Sequence, residues 1–182
     1  TGFNLTWSLQ ELFLELARRA GQPSPGSVST LALTQIGFGW MRGEGFEQHD
    51  AQELSRLLCD RLEKQLAGCA NAAALQRLFQ GTLRSYLRCI DVDYASEREE
   101  VFYDLSCDVQ GHESLEASLR AFITPELLDG ANKYTPSKEL GPQRTEKGVA
   151  IKRFPPVLQL HLKRFTFDLA TGSRVRLSSK FT

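Results

Sequence analysis

The sequence predicts an α+β fold, and three observations predict it. Apolar residues recur at helical spacing through residues 1–80. Around residues 101–110 the period changes to strict alternation, Val101, Tyr103, Leu105, Cys107 and Val109 against Phe102, Asp104, Ser106, Asp108 and Gln110. Helices come first and strands dominate later, without the alternating strand–helix order of a parallel α/β sheet.

Each element follows from its own pattern. Leu9, Leu12, Phe13, Leu16 and Ala20 set a helix over residues 8–20, with Ser8 and Glu11 as a capping box. The cluster Gly21-Gln22-Pro23-Ser24-Pro25-Gly26 ends it. Residues 37–45 form a Gly-rich loop anchored by Phe38, Trp40 and Met41. A second helix runs from Ala51 to Leu66, with Leu54, Leu57, Leu58, Leu62 and Leu66 as its buried stripe, and a short helix covers residues 72–79. Residues 82–94 are expected to pair with the alternating strand through a polar turn at residues 95–99. Residues 114–123 return to helix. Residues 129–148 read as a long polar loop, a kind of segment that often carries function. Strands follow at residues 149–154 and 157–167, interrupted by Pro155-Pro156, and another starts at Arg174. Leu158, Leu160 and Leu162 are expected in the core, opposite Gln159 and His161.

Composition narrows the function classes. A chain of 182 residues makes one domain, with room for two lobes. Lys+Arg and Asp+Glu are equal at 22 each, so no basic excess draws the chain to nucleic acid or to an anionic membrane. No apolar run is long enough to span a bilayer, and the first residues show no basic-then-apolar signal pattern. The first residue is not Met, as expected of a segment of a longer product. Cys59, Cys69, Cys89 and Cys107 form no C-x-x-C pair and are expected as reduced thiols in cytoplasm or nucleus.

The densest chemistry lies in Gln48-His49-Asp50-Ala51-Gln52-Glu53-Leu54, a His, carboxylates and amides at the mouth of a helix. Asp50 and Glu53 have the spacing of a helix cap, which is their plain structural explanation. His112 follows Gly111 at a turn and His161 lies in a strand; a structural role suits both.

Three segments together resemble one family. Gln48 to Leu54 is similar to its Gln-(Gln/His)-Asp box. Leu128-Asp129-Gly130-Ala131-Asn132-Lys133-Tyr134 is similar to its middle loop, and Phe154-Pro155-Pro156-Val157-Leu158-Gln159-Leu160-His161-Leu162-Lys163-Arg164-Phe165 to its late strand motif. The family is the ubiquitin-specific proteases, papain-like cysteine deubiquitinases. Gly37-Phe38-Gly39-Trp40 and Val92-Asp93-Tyr94 resemble the herpesvirus-associated branch.

The resemblance implies a papain-like fold of thumb, fingers and palm, incomplete on its C-terminal side. Residues 1–80 would form thumb helices, 81–148 fingers and loop, and 149–182 the first palm strands. It implies ubiquitin and ubiquitinated proteins as partners, with ubiquitin's tail between thumb and palm. Gln48, His49, Asp50, Glu53, Asn132, Lys133 and Tyr134 would contact ubiquitin. For the acidic pair, capping and tail contact are compatible, since one carboxylate can cap while another points outward. The family's nucleophile is a Cys at a helix mouth, where the dipole favours a thiolate. Aligning the first helix to that one puts Phe3 in its place, so no catalytic residue is assigned. The family's His and Asp/Asn would lie after Thr182. Inactivity is therefore expected, either as a fragment of a working enzyme or as a dead relative that binds ubiquitin or scaffolds a partner. Many members hold a finger zinc through two C-x-x-C pairs. Here Cys89 matches one ligand and Val92 stands at its partner's place, so no metal and no cofactor is expected.

Overall fold

The computed structural model describes residues 4–22, 26–40 and 50–182. It separates into two compact units, Thr1–Leu75 and Gln76–Thr182. Mixed helix and sheet make the class α+β.

In the first unit, helix α1 spans Leu5–Ala20 and helix α2 spans Ala51–Leu66. The start of α1 corrects the expectation by one turn. Asn4, not Ser8, is the cap, and its side chain accepts the Trp7 N–H at 3.0 Å. Ser8 is instead buried inside the helix, its hydroxyl donating to the Asn4 carbonyl at 3.0 Å. The buried face is correspondingly rotated. Leu5 and Ser8 are buried, while Phe13 and Leu16 of the expected stripe are 63% and 45% exposed.

One turn of π-helix, Leu33–Gly37, presses on α1. A Cβ on Gly37 would meet the Leu5 and Leu33 side chains at 2.9 and 3.2 Å, so a hydrogen there permits the close approach. Phe38 is buried, as an anchor should be, and stacks on Trp40 with ring centroids 5.1 Å apart. Met41, the third expected anchor, lies outside the described residues. Arg61 of α2 donates to the Phe38 carbonyl at 2.8 Å and lies over its ring. Gln65 near the end of α2 accepts from both the amide and the hydroxyl of Thr6, at 3.0 and 2.8 Å. The α2 stripe is half-buried rather than buried, and Leu54 is exposed. Helix α3, Ala74–Phe79, follows.

The second unit is built on strands. Strands β1 (Gly81–Cys89), β2 (Ala95–Phe102), β4 (Glu126–Leu128) and β5 (Thr145–Arg153) form an antiparallel sheet in the order β2-β1-β5-β4. Strand β3 (Asp104–Asp108) pairs in parallel with β6 (Gln159–Lys163), and β7 (Phe165–Asp168) forms a hairpin with β8 (Ser173–Arg176). Helix α4, Leu115–Ile123, is capped by Ser114 and packs on β3 and β5.

Four strand expectations change. The partner of β1 is residues 95–102, and the turn lies at residues 90–94, where the Cys89 N–H reaches the Tyr94 carbonyl at 2.9 Å. The charged run read as a turn is edge strand, where charged side chains stay solvated and discourage further pairing. Its Glu97 pairs with Arg84 of β1 at 3.4 Å, and Glu99 pairs with Lys152 of β5. The alternation over 101–110 is shared by two strands that change partner at Tyr103. Residues 145–148, read as loop, are the first half of β5.

The core centres on Phe102, Leu105, Cys107, Val109, Cys89 and Thr145. Leu158, Leu160 and Leu162 are only half-buried, as are Gln159 and His161. A two-stranded ribbon covers neither of its faces fully, so alternation alone does not settle which face is inside.

Candidate functional site

The expected site residues fall into two groups. Phe3, Gln48 and His49 lie outside the described residues. Asp50 is the N-cap of α2, in extended backbone at φ −73° and ψ 126°, and its Oδ1 accepts the Gln52 N–H at 2.7 Å. Glu53 is exposed in the first turn, where the helix dipole favours an anion.

The second group is organised around the end of β1. Asp129 caps a single 3-10 turn, Gly130–Asn132, and its Oδ1 accepts the Gly130 N–H at 2.7 Å. Asn132 donates its N–H to the Asp129 carbonyl at 3.0 Å, leaving its side chain outward. Lys133 is exposed. Tyr134 exchanges both backbone hydrogen bonds with Gln143, at 3.1 and 2.7 Å, as an isolated antiparallel bridge. Its ring lies 6.4 Å from that of Tyr94 in the β1–β2 turn. A hydrogen bond with the Tyr94 hydroxyl, then partial desolvation, pushes the Tyr134 phenol above its usual range.

Arg144 ties the same region together. Its carbonyl accepts the Ile90 N–H at 2.9 Å. Its guanidinium lies 3.5 Å from Asp129 and 3.9 Å from Asp91. Next to it, Thr145 is fully buried and its hydroxyl lies 3.4 Å from the Cys89 sulfur. The structure thus brings Asn132, Lys133 and Tyr134 together beside the turn that carries Tyr94. Sequence reasoning missed Arg144, Asp91 and Thr145. Asp91 lies in a segment read as strand, and Arg144 and Thr145 in one read as loop, so their spacing carried no signal.

The cysteines can be judged as nucleophiles from their surroundings. Cys107 is buried, and burial followed by the neighbouring Asp108 charge raises its pKa, with Lys163 opposing. His161 pairs with Ser106, and Leu162 with Cys107. Neighbouring strand residues point to opposite faces, so Cys107 and His161 do not share one. Cys89 is buried against Thr145, Cys59 lies in the middle of α2, and Cys69 is exposed between helices. A helix mouth is the place that most readily yields a thiolate. Cys59, Cys89 and Cys107 lie within helix or strand, away from one; Cys69 alone comes near one, lining a pocket with Asn4, Thr6 and Trp7 at the start of α1. Among the described residues, no helix is long and apolar enough to cross a membrane.

Residues 2–182 match the family described as ubiquitin carboxyl-terminal hydrolase. The chain is 40% identical, over 98% of its length, to ubiquitin carboxyl-terminal hydrolase 7 of Caenorhabditis briggsae. It is 41% identical over 96% of its length to ubiquitin C-terminal hydrolase 12 of Arabidopsis thaliana, and likewise to ubiquitin carboxyl-terminal hydrolase 15 of Saccharomyces cerevisiae. It spans 15%, 15% and 14% of the length of these three relatives. The match covers both units, from the capped helices to the last hairpin, and on it the chain belongs to the ubiquitin carboxyl-terminal hydrolase family.

Proposed function

We propose that residues 1–182 are a ubiquitin-recognising part of a deubiquitinase domain of the herpesvirus-associated branch, with thumb helices first and fingers and palm strands after. The observation that carries this reading is the identity of about 40% with ubiquitin hydrolases, sustained along nearly the whole chain. In the family's reaction a thiolate attacks the isopeptide carbonyl after ubiquitin's terminal glycine, a His moves the proton, and an Asp or Asn orients the His. This segment contributes recognition to that reaction. In the first unit Gln48, His49, Asp50 and Glu53 offer acceptors and charge to the basic ubiquitin tail; in the second, Asn132, Lys133 and Tyr134 offer a ubiquitin contact of their own on the pinned loop. A solvated rim pair of this kind is worth about 1 kcal/mol or less, so specificity comes from several such contacts together.

On its own, this segment binds ubiquitin without cleaving it. That inactivity is supported by Phe3 at the expected Cys position and by Cys59, Cys89 and Cys107, which are mid-helix or buried. At the start of α1 the Trp7 N–H is taken by Asn4 and the Thr6 N–H by Gln65. These observations also favour a second reading, a ubiquitin-binding or scaffolding module with no cleavage in its working form. We place the segment in cytoplasm or nucleus, without nucleic-acid, membrane, metal or cofactor partners; its balanced charge and lack of paired C-x-x-C support this. The test is incubation with ubiquitin carrying a C-terminal electrophile, beside a ubiquitin titration. Saturable binding without a covalent adduct is expected. An adduct overturns the inactivity, and no binding at high ubiquitin concentration overturns the recognition role.

A further inference from the structure

We infer that Arg144 is a positioning residue for the Asn132–Tyr134 loop, acting as a clip between Asp129 at the loop's root and Asp91 in the β1–β2 turn. The inference rests on the reading of that loop as a ubiquitin contact.

The backbone sets up the clip. The Arg144 carbonyl holds the Ile90 N–H, and the neighbouring Gln143 holds Tyr134 through two hydrogen bonds. Three stretches distant in sequence therefore meet around one residue. The guanidinium then reaches one carboxylate from each of the other two, with Nε towards Asp129 and Nη1 towards Asp91. The Nε is shielded from solvent and has no hydrogen-bond partner, so its 3.5 Å approach to Asp129 is an ion pair rather than a hydrogen bond, while the side chain as a whole is partly exposed. Asp129 uses its other oxygen to cap the 3-10 turn that carries Asn132. Moving Arg144 thus moves the root of the loop and the turn that presents Tyr94 to Tyr134.

Each ion pair alone is weak, because both partners are partly solvated. Their joint effect is on order. Freezing a loop residue costs backbone entropy, and that cost is met before ubiquitin arrives if the clip holds. A planar fork can serve two carboxylates at once, whereas a lysine ammonium at the end of a flexible stem cannot hold both in the same geometry.

The test compares Arg144→Ala, Arg144→Lys and Asp91→Asn in the full chain. Ubiquitin titration, amide hydrogen exchange at Tyr134 and Gln143, and thermal melting are the readouts. Both Arg144 variants should weaken ubiquitin binding about 3- to 10-fold and speed exchange at Tyr134 and Gln143 by a similar factor, with melting little changed. Asp91→Asn should show part of the same effect. Arg144→Ala with parental affinity and parental exchange overturns the clip. A uniform rise in exchange with a collapsed melting temperature marks a general folding role and also overturns it. If the Arg144 variants do not fold, Asp91→Asn alone decides, since unchanged binding and exchange there sink the proposal. A parent chain that binds no ubiquitin overturns the recognition role instead, and the exchange response of Tyr134 and Gln143 still decides the clip.

Discussion

Tyr86 on β1 lies directly opposite Gly148 on β5, and its ring fills the space that a Cβ on Gly148 would need. Arg88 lies 5.8 Å from the centre of the same ring. The glycine weakens β5 in itself, since it adds backbone entropy and packs nothing. The ring laid over it recovers contact across the strand pair. Gly148→Ala should therefore destabilise the second unit by about 1–3 kcal/mol, because the Tyr86 ring must leave its place. Thermal melting checks the loss. In a Tyr86→Ala background the same substitution should cost far less, and equal costs in both backgrounds would remove the ring from the explanation.

Asp50 combines a cap with a candidate ubiquitin contact, and two substitutions separate them. Asn caps nearly as well as Asp, so Asp50→Asn keeps the bond to the Gln52 N–H and loses only charge. It should leave melting within about 0.5 kcal/mol and weaken ubiquitin binding by a few-fold. Asp50→Ala should lose both binding and about 1 kcal/mol of stability. Unchanged ubiquitin affinity for Asp50→Asn would leave Asp50 as a cap only.

Cys107 and Cys69 should differ strongly towards a thiol reagent. Cys69 is exposed and should react at once, whereas Cys107 is buried with a raised pKa and should react only on opening of the fold. The pH dependence follows in sign. A thiol whose folded pKa lies above its unfolded value holds its proton longer in the folded chain. Between the two values the unfolded chain binds fewer protons, so stability falls as pH rises above the ordinary thiol pKa of about 8.5. Cys107→Ser should flatten that alkaline loss, and melting curves across alkaline pH check it.

Much of the fold could be read from local chemistry. The bounds of α2 agree with its apolar period and its Asp50 cap, and Ser114 opens α4 where its spacing places it. The hairpin turn at Thr171-Gly172 is as local, joining β7 to β8, with Gly172 at φ 63°. These features are decided within a few residues, by a side chain that satisfies a nearby N–H or by a turn that needs positive φ. The candidate site was legible in part. Asp50, Asn132 and Tyr134 carry recognisable patterns, whereas the Arg144 tie to Asp91 joins residues 53 apart and leaves no periodic trace.

The sequence by itself determined the α+β class, the family resemblance, the Asp50 cap of α2 and part of the strand segments. Tertiary structure alone decided which strand pairs with which. It turned Ala95 to Glu99 from turn to edge strand, because Arg84 and Lys152 lie across the sheet to meet those charges. It split one alternating run between β2 and β3, and moved the buried face of α1 to Leu5 and Ser8, where the Gly37 turn presses in, leaving Phe13 and Leu16 of the stripe Leu9, Leu12, Phe13, Leu16 and Ala20 exposed. Periodicity states that a face is apolar, while burial depends on what the rest of the chain brings against it. That second quantity is set by contacts distant in sequence, which no local pattern encodes.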